Sequence, residues 1–315
     1  MTTALTLGAP IASDGAEAHA DWLEILALLS ADRDSSYQDL VAEFRRSGTL
    51  DAVTERLAPD RGSEKSQELA DEAFSRLDVR SKSCGDGYPF KIADQTVSVR
   101  DPNFIDSPYV FMLLLRHFGV KAGPRTVKGA GNFEELAEVA ARHYLGGTAS
   151  GVRSFHFGFP RRTTPAGFEA ALNELCEAVG EGGGSRSRPS RKDQKDAKLD
   201  LVAWRPFADG RNGKVIAFGQ CAAGDNWDGK ATELSPMQFT GLWLLTSRFA
   251  FTPVVFFFVP GCLSDEEWDS VSFLGNTVPF DRCRVSAMLA DAGLPADLQG
   301  RTKRWSKYVL ERISR

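Results

Sequence analysis

The chain has 315 residues, a formal net charge of −4, and a composition that is 42% hydrophobic and 25% charged. These values are typical of soluble globular proteins, and they exclude a disordered chain and a uniformly basic nucleic-acid coat, although a local basic groove remains open. The longest apolar stretches, 109–115 and 253–260, are too short to span a membrane, and the first twenty residues lack the pattern of a signal peptide.

The cysteines are odd in number and far apart, and no two of them form a CxxC pair. They are Cys84, Cys176, Cys221, Cys262 and Cys283. This spacing argues against a disulfide framework and against a structural zinc site. Together with the missing membrane segment, it predicts a protein of the reducing cytoplasm.

The first 125 residues predict a mainly helical accessory or recognition region. Residues 1–18 show no periodicity and are expected to form a loose terminus. Apolar residues recur at helical spacing over 21–46, with a break near 32–36, and again over 63–77. Short strands are expected around Val97 and Val99, followed by a buried helix over 109–118. A glycine-rich segment, 119–131, places the domain boundary between residues 125 and 126.

Residues 126–315 predict a second domain that begins with alternating helices and strands. Asn132 is the expected N-cap of a helix over 133–145, and a strand over 152–159 and a helix over 165–179 follow. The next segment, 181–198, is polar and glycine-rich, with six basic side chains. It predicts a flexible basic loop, either a solvated linker or a segment that contacts phosphates.

The rest of the second domain predicts the centre of a sheet. Strands over 199–204 and 215–221 form a hairpin, a helix covers 235–248, and the continuous apolar run 253–259 predicts a strand buried on both faces. The tail adds a strand over 269–273, a helix over 282–292 and a basic helix from Leu298. The fold class is therefore α/β, with a mixed central sheet flanked by helices.

Asp200 and Gln220 stand on the two strands of the predicted hairpin, where their oxygens could converge on one point. Phosphodiester hydrolysis with a divalent metal needs hard oxygen ligands, an activated water and a cation near the phosphate. Taken alone, Asp200 is an ordinary strand-end acid and Gln220 a buried amide. The pair at this element spacing favours a metal-dependent site.

The order of these elements resembles the PD-(D/E)xK nuclease superfamily over residues 133–259. The matching stretches are Lys198-Leu-Asp-Leu-Val-Ala203 and Ile216-Ala-Phe-Gly-Gln-Cys221, and the Gln-Cys strand end resembles the Mrr-type restriction enzymes. The resemblance implies a restriction-endonuclease-like core that hydrolyses phosphodiester bonds of DNA. It also implies Mg²⁺ or Mn²⁺ as cofactor, held by Asp200, Gln220 and Glu134, with Glu135 and Glu138 as alternatives to Glu134.

The chain departs from the family pattern two positions after Gln220, where the family's Lys is replaced by Ala222. Lys230 is the expected substitute, since this positive group migrates to nearby elements within the superfamily. The alternative is a catalytically inactive module that binds nucleic acid or scaffolds a defence complex. Cys221 is disfavoured as a nucleophile because no His is close to it in sequence. His143 and His156 are isolated in the sequence and are expected to have structural roles.

The partner that the resemblance implies is DNA, with RNA left open. Resemblance to restriction-type nucleases also implies a role in bacterial defence against phages or plasmids. Protein partners from such a system, and self-association into a homo-oligomer, are also left open. Trp227 could stack on a base, although such aromatics more often close a core. The expected phosphate contacts come from the basic loop: Arg186, Arg188, Arg191 and Lys192.

Overall fold

The computed structural model describes residues 4–47, 59–158, 167–186 and 197–314. The chain divides into two compact units, one comprising residues 1–127 and 299–315 and the other residues 128–298. The predicted division between residues 125 and 126 differs from this one in the C-terminal segment, which groups with the first unit. None of the described helices combines the length and the apolar character that a membrane crossing requires.

In the first unit, the described residues form four helices and a small antiparallel sheet. The helices are α1 (Ala16–Leu29), α2 (Tyr37–Ser47), α3 (Pro59–Cys84) and α4 (Pro108–Phe118). The strands are β1 (Leu5–Thr6), β2 (Asp34–Ser36), β3 (Phe90–Ala93) and β4 (Thr96–Val99). Strands β2, β4 and β3 form the sheet in that order, and α1 packs against α3.

The terminus expected to be loose is ordered from Leu5, because β1 pairs in parallel with β10 (Ile313–Ser314) at the other end of the chain. That prediction was wrong. The break expected at 32–36 contains β2, and the helix expected over 63–77 extends over the whole of α3. Pairing of β2 with β4 joins residues about sixty positions apart, and helical periodicity carries no sign of it.

In the second unit, five helices lie within the part of the chain that the structure describes. They are α5 (Gly129–Tyr144), α6 (Phe168–Val179), α7 (Pro236–Trp243), α8 (Asp265–Asp269) and α9 (Arg282–Ala292). A further helix, α10 (Ala296–Leu310), runs across the division between the units. Short helical turns also occur: 3-10 turns at Gly85–Gly87, Phe104–Asp106, Thr148–Ser150 and Asp228–Lys230, and a π turn at Ser270–Leu274.

A five-stranded mixed sheet forms the centre of the second unit. Its strands are β5 (Arg153–His156), β6 (Leu201–Trp204), β7 (Ile216–Cys221), β8 (Val254–Phe258) and β9 (Val278–Phe280). They lie side by side in this order. Strands β5, β6 and β7 pair antiparallel, whereas β7, β8 and β9 pair in parallel. The carboxyl ends of β7, β8 and β9 therefore lie at the same edge.

Helices cover the sheet, which confirms the predicted mixed sheet flanked by helices. Helix α5 packs on β5, β6 and β7. The side chains of Val202 and Phe218 belong to a core cluster with Phe168, Leu172 and Phe239 of α6 and α7. Strand β6 is buried at all four positions, since hydrogen-bonded strands flank it and apolar side chains cover it.

Two predictions within the second unit were wrong. Helix α5 begins at Gly129 after Lys128, so Asn132 is a buried residue inside the helix and not its N-cap. The strand expected over 269–273 is the end of α8 followed by the π turn, and Phe273 is 79% exposed. The strand in this part of the chain is β9 instead, and its Pro279 is tolerated because β9 lies at one edge of the sheet that the described residues form, paired with β8.

Candidate functional site

Asp200 lies immediately before β6 and is held by both neighbouring strands. Its carbonyl oxygen accepts the backbone N–H groups of Phe157 and Gly158, each at 2.7 Å, and its own N–H donates to the Gly219 carbonyl at 2.9 Å. Its carboxylate Oδ2 accepts the backbone N–H of Cys221 at 2.7 Å. The carboxylate is thereby positioned at the carboxyl end of β7, beside the residue that follows Gln220.

Gln220 is 3% exposed, and one end of its amide is satisfied while the other is not. Its Nε2 donates to Glu233 Oε2 at 3.4 Å. Its Oε1 is buried and makes no hydrogen bond within the described part of the chain. The carboxylate of Glu233 can accept a hydrogen bond but cannot donate one. The Gln220 amide therefore turns its Nε2 toward Glu233 and its Oε1 away from Glu233. Buried polar atoms without partners are rare and call for an explanation.

Glu134, in the second turn of α5, contacts β5 across the sheet face. Its Oε2 lies 3.0 Å from His156 Nε2. A Cβ on Gly158 would come within 2.6 Å of the same Oε2, so the glycine leaves the space that this carboxylate occupies. Burial lowers the pKa of His156, but the hydrogen bond and the charge of Glu134 more than offset it, so this pKa is raised. Glu138, one of the competing acids, accepts the Ser154 hydroxyl at 2.6 Å instead.

The pKa of the Cys221 thiol is affected by the carboxylates of both Asp200 and Glu134. Burial raises the pKa of Cys221 well above its ordinary value, and the negative charges of Asp200 and Glu134 raise it further. A thiol in this environment stays protonated at neutral pH and is a poor nucleophile. The geometry at Gly158 shows that Glu134 lies near Asp200, because a Cβ at this position would meet Glu134 Oε2 at 2.6 Å and the Asp200 carbonyl oxygen at 3.4 Å.

Lys230 is not joined to these groups by any side-chain contact in the described residues. It ends a 3-10 turn, and its carbonyl accepts the Glu233 N–H at 3.0 Å. A different lysine is connected to the site: Lys198 Nζ lies 2.8 Å from Glu233 Oε2, the same oxygen that accepts from Gln220. Sequence reasoning placed Lys198 in the basic loop, and its position two residues before Asp200 was the one local signal.

Position 222, where the PD-(D/E)xK pattern would have a lysine, is a core position in this protein. Ala222 is buried in an apolar cluster. The other buried members are Trp227, Ala231, Phe257, Val259, Leu263 and Val271. A lysine at 222 would have to leave or disrupt this cluster, because an unpaired charge is costly to bury. The ring of Trp227 packs in the same cluster, which leaves little of it for stacking on a base.

The basic loop is described at its two ends. Arg186 is held by the last turn of α7 and by the chain after it, since its guanidinium donates to the Gly241 carbonyl at 3.3 Å and to the Ser247 hydroxyl. The other three predicted phosphate contacts, Arg188, Arg191 and Lys192, lie outside the described residues.

No protein-family model matches the chain, and no curated protein matches it in sequence. Among solved structures, the chain is similar to the MspJI restriction endonuclease in complex with a 27-mer oligonucleotide. The identity is 14% and the TM-score 0.30, over 68% of this chain and 38% of that chain. The chain thus matches well under half the length of that enzyme, at a TM-score too low to establish a common fold.

Proposed function

We propose that the chain is a metal-dependent nuclease that hydrolyses phosphodiester bonds of DNA, with its site at the carboxyl end of β7. Asp200, Glu134 and Gln220 would hold one Mg²⁺ or Mn²⁺ ion. The observation that carries the proposal is the buried Gln220 Oε1, which has no hydrogen-bond partner among the described residues. The next residue, Cys221, donates its backbone N–H to the Asp200 carboxylate.

The donor set fits a hard divalent cation. Two carboxylates and one amide carbonyl are oxygen ligands of the kind that Mg²⁺ and Mn²⁺ take in proteins. A bound ion would also give the Gln220 oxygen the partner that it lacks. Because the amide brings no charge, we expect weaker metal binding than in a site with a third carboxylate.

The bound ion would supply positive charge to the phosphate in the transition state and acidify the attacking water. The chain's own residues do the positioning. The Cys221 N–H holds the Asp200 carboxylate, and Glu233 holds the Gln220 amide and Lys198 at once. Lys198 is the better supported substitute for the absent motif lysine, because its ammonium is anchored to this network. Lys230 is the alternative that the sequence predicted.

Cleavage of plasmid DNA by the purified protein in Mg²⁺ or Mn²⁺ tests the proposal. Asp200→Asn should abolish cleavage, and Lys198→Met should lower its rate by about 100-fold or more, the scale of losing a positioned charged group. Asp209→Asn, at an exposed acid in the loop between β6 and β7, is the matched control and should cleave like wild type. If Lys230→Met loses activity and Lys198→Met does not, the assignment of the lysine is reversed.

One observation favours the alternative function, an inactive nuclease-like module that binds nucleic acid. Ala222 is packed into the apolar cluster, so the motif position itself contributes no cation. DNA binding without cleavage in either metal, unchanged by Asp200→Asn, would establish the module and exclude the enzyme.

The role in bacterial defence is a further part of the proposal. It is tested in cells by comparing phage plating on strains that carry the wild-type gene or Asp200→Asn. Protection that survives this substitution would separate defence from hydrolysis.

A further inference from the structure

Three potential metal ligands meet at the carboxyl ends of β8 and β9. Cys262 follows β8 by four residues, and Asp281 and Cys283 stand at the start of α9, directly after β9. Their ligand atoms all lie within 4.8 Å of one another, and Cys262 and Cys283 have their sulfurs 3.8 Å apart. Backbone bonds from Arg282 N to Gly261 O (2.9 Å) and from Val259 N to Phe280 O (3.0 Å) hold the two segments together.

The sulfur separation suits a single tetrahedral ion. Zinc binds thiolates at about 2.3 Å, and two such bonds at a tetrahedral angle place the sulfurs about 3.8 Å apart. A disulfide would require about 2.05 Å. Asp281 also caps α9, with its Oδ1 accepting the Arg284 N–H at 2.9 Å. A carboxylate accepts at both oxygens, so capping and metal binding are compatible.

The charges around the cluster also balance. Arg282 is 0% exposed, and its Nη2 donates to Cys262 Sγ at 3.2 Å. Two thiolates and one carboxylate carry three negative charges, which a divalent ion and the buried guanidinium neutralise. Hydrogen bonds from such outer groups orient metal-bound ligands. When both cysteines are thiolates, a divalent cation at this cluster is therefore compatible with the positive charge of the buried Arg282.

We propose that Cys262, Asp281 and Cys283 bind one soft divalent cation, Zn²⁺, which ties the loop after β8 to the start of α9. Cys262 is partly exposed, so solvent can supply the fourth ligand. The absence of a CxxC pair excludes only a zinc site built on cysteines close in sequence, whereas Cys262 and Cys283 are separated by twenty residues and meet through the fold. The site shares no residue with the proposed nuclease centre, which uses oxygen ligands alone.

Cobalt substitution tests the site directly. The full chain, freed of any histidine tag and of metal, is titrated with Co²⁺. We expect thiolate-to-cobalt charge-transfer absorption together with the visible bands of tetrahedral cobalt, saturating at about one ion per chain. Addition of Zn²⁺ should abolish these bands and protect two of the five cysteines from alkylation.

The variants separate this site from others. Cys262→Ser and Cys283→Ser should each abolish the charge-transfer band, and Asp281→Asn, which keeps the helix cap, should weaken cobalt binding at least ~10-fold. Cys84→Ser, in the first unit, and Asp200→Ala, in the proposed nuclease site, should leave the cobalt spectrum unchanged.

Two results would overturn the proposal. One is a wild-type cobalt spectrum that matches that of the Cys262→Ser/Cys283→Ser double variant. The other is rapid formation of a Cys262–Cys283 disulfide under mild peroxide that excess Zn²⁺ does not slow, because that would identify a redox pair in place of a metal site.

Discussion

At the scale of single residues, the three proposed metal ligands differ in the hydrogen bonds that their oxygens already make. The Asp200 carboxylate already has a strong backbone donor, and Glu134 has the His156 imidazole, whereas the Gln220 carbonyl oxygen has no partner in the described part of the chain. A buried acceptor without a donor costs about 1–3 kcal/mol. Of the three proposed ligands, Gln220 is thus the one whose oxygen is buried without a hydrogen bond among the described residues.

Replacing Gln220 by Glu should make stability depend on metal. The new carboxylate would replace the amide that donates to Glu233, so a buried charge at position 220 would face the like charge of the more exposed Glu233. We expect a loss of about 1–3 kcal/mol in the free energy of unfolding without metal, largely recovered in Mg²⁺. Urea denaturation in EDTA and in Mg²⁺ measures both.

The matched control for Gln220→Glu is the double variant Gln220→Glu/Glu233→Gln. It removes one of the two facing charges, so the loss in EDTA should be smaller than in the single variant. An equal loss in EDTA and in Mg²⁺ for Gln220→Glu would show that no cation binds at this position.

At the scale of elements, the close approach of β6 and β7 positions the site. Gly219 pairs with Leu201, and a Cβ at 219 would lie 2.5 Å from Leu201 Cγ. The glycine therefore lets the buried Leu201 side chain lie over the neighbouring strand, and this residue pair adjoins Asp200 on one strand and Gln220 on the other. Helix α5, which carries Glu134, packs on these same strands.

Gly219→Ala should destabilise the protein by about 1–3 kcal/mol, because the added methyl group overpacks the strand pair. The double variant Gly219→Ala/Leu201→Ala should lose less than the sum of the two single variants, since the shorter side chain makes room. Gly241→Ala, where a Cβ meets nothing within 4 Å, is the control and should be neutral or slightly stabilising. Chemical denaturation compares all four, and strict additivity would refute the contact.

Local patterns predicted elements well where neighbouring residues decide them. The predicted helix over 282–292 coincides with α9, and the hairpin strands differ from β6 and β7 by one or two residues at their starts. The failures have tertiary causes. Strand β9 contains a proline that an edge position accepts, and β2 is extended because β4 pairs with it.

At the scale of the whole molecule, each unit has its own buried polar or ionic centre. In the first unit, buried Arg80 of α3 binds three acids of α1: Glu17 at 2.6 Å, Asp21 at 2.8 Å and Glu24 at 3.0 Å. Tyr88 and Tyr109 also donate to Glu24, each at 2.8 Å. Burial, followed by the charge of Glu24, raises the pKa of Tyr88 well above its ordinary value. This network links α1, α3 and α4.

Arg80→Ala should therefore destabilise the first unit by about 3–5 kcal/mol, because it leaves buried carboxylates without their cation. Arg76→Ala is the matched control: Arg76 contacts Glu17 at 3.6 Å from a more exposed position, and its loss should cost less than about 1 kcal/mol. Urea denaturation followed by circular dichroism measures the difference. Equal effects of the two substitutions would mean that the buried network contributes no special stability.

The amino-acid sequence by itself determined the class of fold and the location of Asp200 and Gln220 on adjacent strands, because alternation and helical spacing are properties of short segments. Only the tertiary structure decided which side chains meet. It joined Lys198 to Gln220 through Glu233, buried Ala222 and Trp227 in a core, and brought Cys262 to Cys283. Those outcomes depend on how strands pair and helices pack across long stretches of chain, which no local pattern encodes.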